Sequence, residues 1–511
     1  MKTKFGRVLA ALAALTIVLA AVGQNPEGPR TRYPLIADAS LAARATRPVP
    51  PEALPFSVDF VALRAVHAGD LIALDNLVPG FFGVAERRED RSATSFSIFG
   101  RVNGDPESLI VLTAQDDVVV GVIQYVHAEV NYRLRYAGNG VHVLLPAIAG
   151  NEGCGAGDVA AAGTPSPSGA QAPHAEADAA ERPGSTGQPR ACAAPRRRFD
   201  LLMYYTVAAA NANGGTSAAI ALCQTGVDLA NQAYIDSNIS ARMFLLDARQ
   251  VTYTESGDLE TDRDRLQDDN DGFLDFAPVQ RDEIGADLVC LMVAESDAAL
   301  AGIAFCTPNE AHGYCVIEED DVDDGTHVLA HEVGHLQGCA HNHGDAGTGC
   351  NEYCYSFGHR FTGSSGTGWR TIMAYDDAGN NFANVVPRFS NPNQTWDGVS
   401  LGVDTFPCGV FPSNDDADNA RSIDDNAMDV EAFRDPAIEV WVDNGYAGTE
   451  HGTWWEPWST LGEGITAIYG GSNAPVITPT LKVKAGDYTA TPVVTKPMRI
   501  ESCGGSVRIG V

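Results

Sequence analysis

The stretch HEVGHLQGCAH, residues 331–341, places three histidines, one glutamate and one glycine within eleven positions. Around it Leu329, Val333 and Leu336 recur at helical spacing and form one apolar stripe. Thr326 or Asp324 stands where an N-cap is expected. On such a helix His331 and His335 lie one turn apart, about 6 Å along the axis, so both imidazoles face the same way. Gly338 can adopt the left-handed conformation that ends a helix, and the reversed chain can return His341 as a third ligand. Three neutral imidazoles leave the fourth tetrahedral position of a zinc ion open to water. Glu332, beside His331, is then the base that takes the proton of that water. A rival reading makes His331 and His335 core histidines satisfied by backbone, which leaves Glu332, Gly338 and His341 unexplained. His343 competes with His341 as the third ligand.

Outward from this helix, the chain from Phe199 alternates strands and helices. FDLLMYYTV is a strand, a helix falls near 216–237, and ARMFLLDARQVTYT and ADLVCLMVA are further strands. DDNDGFLD (268–275) would need an acidic residue at Gln267 to be a calcium loop, so calcium is left without a motif. EEDDVDD (318–324) is expected to be a solvated loop supplying negative charge to a helix N-terminus. Residues 24–154 alternate apolar and polar in short runs, the pattern of a β-rich domain. Residues 155–198 are rich in Ala, Pro, Gly and Ser and are expected to be a disordered linker ending in the basic triplet Arg196, Arg197 and Arg198, a natural protease target. The mature start is then expected near Phe199. Residues 438–511 carry short β-rich runs divided by glycines, like the first rungs of a parallel β-helix. Trp454, Trp455 and Trp458 offer either an N-terminal cap or a glycan or matrix contact.

The first 23 residues carry Lys2, Lys4 and Arg7 before an apolar run, with Ala21 and Gly23 at cleavage spacing, and are expected to be a signal peptide. A secreted, extracellular protein follows, with periplasmic transit as a stage. The 511-residue chain has a net charge of -32. Residues 199–435 hold 40 Asp and Glu against 10 Arg and no Lys. That balance excludes nucleic acid and anionic membranes as partners and suits a solvated acidic surface or a high-salt habitat. Eight of the 11 cysteines (Cys223, Cys290, Cys306, Cys315, Cys339, Cys350, Cys354, Cys408) fall in the central region, which suggests up to four disulfides in an oxidising compartment.

HExxHxxGxxH, matched by His331, Glu332, His335, Gly338 and His341, makes the chain resemble the metzincin clan of zinc metalloendopeptidases. RTIMAYD (370–376) resembles that clan's methionine turn, with Met373 as the apolar floor of the zinc site. GADLVCLM, GIAFC, RFSNPNQTWDGVSLGV and DNARSID further resemble bacterial reprolysin-like enzymes, above all the peptidyl-Asp metalloendopeptidases, over residues 199–435. The resemblance implies an α+β catalytic domain with a twisted mixed sheet and an active-site helix, preceded by a β-rich pro-domain. It also implies one catalytic zinc and polypeptide substrates. Tyr375 matches a position that serves some metzincins as a movable metal ligand, and a buried structural tyrosine is its rival reading. Ala301, Gly302, Ile303, Ala304 and Phe305 would form the edge strand to which substrate adds. A pocket near GTGWRT (366–371) would set side-chain preference. Cys154, between two glycines, is either a pro-region cysteine on the open zinc position or a disulfide partner of Cys192. Asn342 stands where reprolysin-like groups often carry Asp, a departure that weakens any inference of cleavage beside aspartate.

These features support a secreted zinc endopeptidase made as a zymogen. An extracellular adhesion or carbohydrate-binding protein on a metzincin-like scaffold is the alternative, and a zinc amidase acting on cell-wall peptides shares the chemistry.

Overall fold

The computed structural model describes residues 30–75, 77–125, 130–147, 153–157, 196–294, 300–306, 308–346, 350–377, 379, 381–404, 415–471 and 478–511. The expected signal peptide, most of the expected linker, Cys192 and Cys408 lie outside the described residues. Among those residues no helix is long and apolar enough to cross a membrane.

The architecture is α+β. A ten-stranded sheet between Thr31 and Pro146 is built largely from antiparallel neighbours. Asn139 and Gly140 both take positive φ, 52° and 72°, at a two-residue hairpin turn that glycine and asparagine tolerate best. Its central strands Ser95–Val102, Ser108–Gln115 and Val118–Tyr125 are buried almost throughout, on both faces. One face packs on the sheet's own core through Ile98, Ile110, Leu112 and Ile123. The other carries Phe99, Leu109, Val111 and Val122 onto Leu229 of the 21-residue helix Thr216–Asp236. Each such fully buried side chain contributes about 1.5–3 kcal/mol, an upper-end figure.

That helix lies between the first sheet and a second one of six strands. The second sheet runs Gly153–Gly157, Leu300–Phe305, Tyr314–Glu318, Leu288–Val293, Arg198–Thr206, Arg242–Val251. Neighbours are parallel except where Leu300–Phe305 runs antiparallel to Tyr314–Glu318. The sequence reading takes Ala301–Phe305 as an open edge; here the backbone of Gly153–Gly157 pairs along it in parallel, with Cys154 opposite Gly302. Residues 155–157, expected in the linker, therefore belong to a strand.

Polar contacts reinforce the junction. Asp228, 2% exposed, accepts from Ser97 and, at 2.8 Å, from Thr113. Arg101 pairs with Asp236 at 2.7 Å. The acidic run 318–324 is not the solvated loop expected. Glu319, Asp321, Asp323 and Asp324 are all buried. Arg135, from the strand Val130–Gly138, reaches Glu319 at 2.8 Å and Asp323 at 2.6 Å, and Arg133 reaches Asp320 at 2.7 Å. A charge run that looks solvated in one dimension is here half of an ion-pair cluster whose arginines lie some 185 residues upstream.

Two further expectations change. Cys306 and Cys350 form a disulfide, and Cys354 and Cys503 are also disulfide-bonded, but Cys223, Cys290, Cys315 and Cys339 are free buried thiols. Burial pushes the Cys223 thiol up to about 12, which leaves it inert as a nucleophile. Of the arginine triplet, Arg196 is exposed. Arg197 pairs with Glu431 and lies 4.5 Å over Trp455, and Arg198 opens a sheet strand, pairs with Asp200 and lies 4.2 Å over Phe244. Cleavage after Arg198 would require that strand to unpair. N-terminal sequencing of processed protein is therefore expected to find a start at or before Arg197; a start at Phe199 would contradict this.

In the C-terminal part, Glu439–Val442, Thr480–Tyr488 and Arg499–Ile509 stack in parallel over a small core of Val440, Val442, Leu461, Ile465, Leu481 and Val483. Lys484 lies 4.3 Å over the Trp454 ring, so Trp454 and Trp455 each carry a cation on one face.

Candidate metal centre

The motif helix is Val328–Leu336, and all nine of its residues are buried. Its N-cap is His327, in the left-handed conformation at φ 62° and without a side-chain cap, not Thr326 or Asp324; the Asp324 carboxylate instead accepts from the Thr326 backbone. The helix ends as its spacing predicts, with Gly338 at φ 85° and the Cys339 N–H returning to the Gly334 carbonyl. Ala340 then bridges to Phe357, which sets His341 back against the helix. The disulfide Cys306–Cys350 ties the end of the edge strand to the loop beyond His341.

His331, His335 and His341 converge. The His341 Nε2 atom lies 3.2 Å from that of His331 and 3.0 Å from that of His335. Each ring turns Nδ1 to a backbone carbonyl: His331 to Ile372 at 2.8 Å, His335 to Cys339 at 2.8 Å, His341 to Asp345 at 3.4 Å. An Nδ1–H donated to a carbonyl leaves Nε2 as a lone pair, so three lone pairs are aimed at one point. Burial, with added repulsion among the rings, holds His331 down to about 3 and His341 well below the usual imidazole range, and burial alone holds His335 to about 4. Three neutral donors facing one another are unfavourable without a cation between them. Ligands about 2.0–2.1 Å from a tetrahedral zinc stand roughly 3.3 Å apart, close to the separations found. The donor set fits zinc.

His343 does not join the group. It stacks on Phe357 at 3.8 Å and contacts the Asp416 carbonyl at 2.7 Å.

Met373 is fully buried beneath the site, and its Sδ would lie 2.7 Å from a Cβ on Gly334, so a side chain at Gly334 would have to displace the methionine from this position. Glu332 is fully buried, and the edge strand closes over it: a Cβ on Gly302 would come within 2.8 Å of its Cγ and Oε1. The Tyr375 ring lies 4.0 Å from His341 and parallel to His331 at 6.1 Å. Its backbone N–H donates to Asn342 Oδ1 at 3.0 Å. Asn342 thus supplies the acceptor oxygen that an aspartate at this position would also offer.

The sequence marks neither Gly334 nor Arg370 as a residue of the site, and it marks Gly302 only as part of the edge strand. Gly302 was placed on the edge strand, but nothing local marks it as the residue against Glu332. Gly334 occupies a variable position of the motif. Arg370 lies in both RTIMAYD and GTGWRT, and its scarcity value as one of 10 arginines among 40 carboxylates was the only signal available.

A mixed sheet, a helix bearing two imidazoles, a third on the returning chain and a methionine turn beneath them define a metallopeptidase centre. The chain belongs to the reprolysin-like metalloendopeptidases of Metallo-peptidase family M12, which its residues 195–385 match. It is similar to the Peptidyl-Asp metalloendopeptidase of Pseudomonas fragi, 30% identical over 172 residues that cover 33% of this chain and 85% of that one. The same-named protein of Stenotrophomonas maltophilia (strain K279a) is 32% identical over 238 residues, covering 46% of this chain and 52% of that protein. That of Xanthomonas campestris pv. campestris is 28% identical over 373 residues, covering 72% and 77%. The chain spans about half the length of the Stenotrophomonas relatives it matches.

Proposed function

We propose that the protein is a secreted zinc endopeptidase made as a zymogen, with His331, His335 and His341 as metal ligands and Glu332 as general base. The convergence of three carbonyl-anchored imidazoles beside the buried carboxylate of Glu332 carries this reading. When bound, zinc supplies Lewis acidity and lowers the pKa of water at the site. Glu332 accepts the proton of the attacking water and delivers it to the leaving amine. Gly302, bare of a side chain, leaves the Glu332 carboxylate room beneath the edge strand. Tyr375 packs on His341 and His331 and restrains both rings; a role for its hydroxyl toward the reacting carbonyl is part of the proposal.

A peptide would add to Leu300–Phe305 by main-chain pairing, which accepts many sequences. In the precursor that edge is taken by Gly153–Gly157, and this supports latency. Cys154, opposite Gly302, is the candidate to cap the metal, with a disulfide to Cys192 as the rival assignment. The names of the relatives support cleavage beside aspartate. Domain limits are proposed as signal peptide 1–23, a pro-domain from 24 that includes the strand Gly153–Gly157, a linker from 158 carrying the processing site, a catalytic domain beginning at or before Arg197 and running to 435, and a C-terminal β-helix-like piece 438–511. Casein hydrolysis abolished by phenanthroline and restored by zinc is the expected result. Processed, zinc-loaded protein that cleaves neither casein nor an aspartate-containing peptide would overturn the proposal.

A further inference from the structure

Arg370 lies at the end of the short strand Gly368–Arg370, directly before the methionine turn, and is 7% exposed. Its Nη1 donates to the Ala374 carbonyl at 3.2 Å. Two residues back in the same turn, the Ile372 carbonyl holds His331 Nδ1 at 2.8 Å. Guanidinium and metal-site imidazole are thus anchored on one four-residue turn. Asp324, Asp376 and Tyr375 surround the guanidinium electrostatically, yet among the described residues no carboxylate forms an ion pair with it, and its buried Nε has no hydrogen-bond partner.

A buried cation whose neighbouring carboxylates act only at a distance is less stable than one held in a bonded ion pair. The domain's other arginines are held in several ways. Arg249, Arg263, Arg360, Arg421 and Arg434 each pair with a carboxylate, and Arg281 satisfies its nitrogens on three carbonyls. Arg242 donates to two carbonyls and Arg265 to the Tyr253 hydroxyl, while Arg388, over the Trp396 ring, also forms no ion pair among the described residues and has a buried Nε without a hydrogen-bond partner. Of the arginines without an ion pair, Arg370 is the one that shares a turn with the carbonyl holding His331, and that position places it to receive a carboxylate from outside.

We propose that Arg370 is the specificity-determining cation of the cleft, receiving the side-chain carboxylate of an acidic substrate residue next to the scissile bond. This rests on the zinc-endopeptidase reading and assigns its side-chain preference to one residue. A carboxylate reaching the guanidinium would bond it and complete its charge pairing, while the amide isostere would offer an oxygen without the charge. The competing role is a brace, in which Arg370 only holds the methionine turn through Ala374.

The test uses the full-length chain, secreted, processed and zinc-loaded, with matched peptides carrying Asp, Asn or Leu on either side of the cleaved bond. In Arg370→Gln the Asp-over-Asn ratio of kcat/KM is expected to fall about 10- to 100-fold, the range of a charge-assisted pair. The rate on the Leu peptide should change by less than about 3-fold, with Arg370→Lys recovering part of the ratio. An unchanged ratio, or an equal fall on all three peptides, would assign the brace and overturn the proposal. A second measurement on the wild type does not depend on the variant folding: aspartic acid α-amide should inhibit more strongly than asparagine amide, and equal inhibition would overturn the proposal. Wild type that cleaves without acidic preference defeats this inference alone; wild type that cleaves nothing defeats the endopeptidase reading with it.

Discussion

Glu332→Gln is expected to keep its zinc and lose about 10²- to 10⁴-fold in kcat/KM, the range a positioned general base supplies. The substitution is nearly isosteric, and this matters because Glu332 is fully buried and a Gly302 Cβ would stand only 2.8 Å from its Cγ and Oε1. A larger or smaller residue would disturb the edge strand and confuse chemistry with packing. The three imidazoles owe their orientation to carbonyls of Ile372, Cys339 and Asp345 and not to Glu332, so metal content should survive. Metal analysis and peptide kinetics on the same preparation check both halves. A variant with bound zinc and near wild-type turnover would remove Glu332 from the mechanism.

Arg135→Met is expected to destabilise the docking of the N-terminal sheet by about 3–5 kcal/mol, the loss typical when one member of a buried ion pair is removed. Asp323 has no exposed surface and would keep only Arg133, at 3.8 Å; Glu319 would lose its 2.8 Å partner. The pH dependence has a definite sign. Burial raises the Asp323 carboxyl above its ordinary range, and Arg135 and Arg133 oppose that rise. A group whose folded pKa is raised stabilises most below its unfolded pKa and loses that contribution as pH rises through the folded value. Without Arg135 the rise is larger, so the variant should be weaker relative to wild type at pH 8 than at pH 5. Denaturant melts of both proteins at the two pH values measure this. Because Gly153–Gly157 follows that sheet in the chain and covers the edge of the second, the same variant should show premature peptidase activity in the unprocessed chain. A precursor as stable and as silent as wild type would contradict the interface.

The candidate metal site is legible in the sequence because its determinants are local. His331 and His335 are fixed by one helical turn, and Gly338 reverses the chain by its own conformational freedom, so eleven consecutive residues carry most of the geometry. The third histidine of the cluster is narrowed in the sequence only by spacing and resemblance; what brings His341 and not His343 into it is tertiary, the stacking of His343 on Phe357. The α+β class was readable from alternating patterns, whereas the order of the six strands was not, since pairing Gly153–Gly157 with Leu300–Phe305 joins segments nearly 150 residues apart. The acidic run 318–324 was misread for the same reason. Its composition is that of a solvated loop, and only Arg133 and Arg135, brought in by the other sheet, turn it inward. The cysteines failed differently: the eight central ones look like a disulfide set, but Cys223, Cys290, Cys315 and Cys339 ended as core side chains, where a thiol serves as a small hydrophobe.

Zinc-edge X-ray absorption on the folded full-length chain tests the metal centre most directly. One zinc per chain with three imidazole nitrogens at about 2.0–2.1 Å is expected, reduced to two in His341→Ala. Folded protein that takes up no zinc, or holds it through fewer than three imidazoles, would contradict the assignment of His331, His335 and His341.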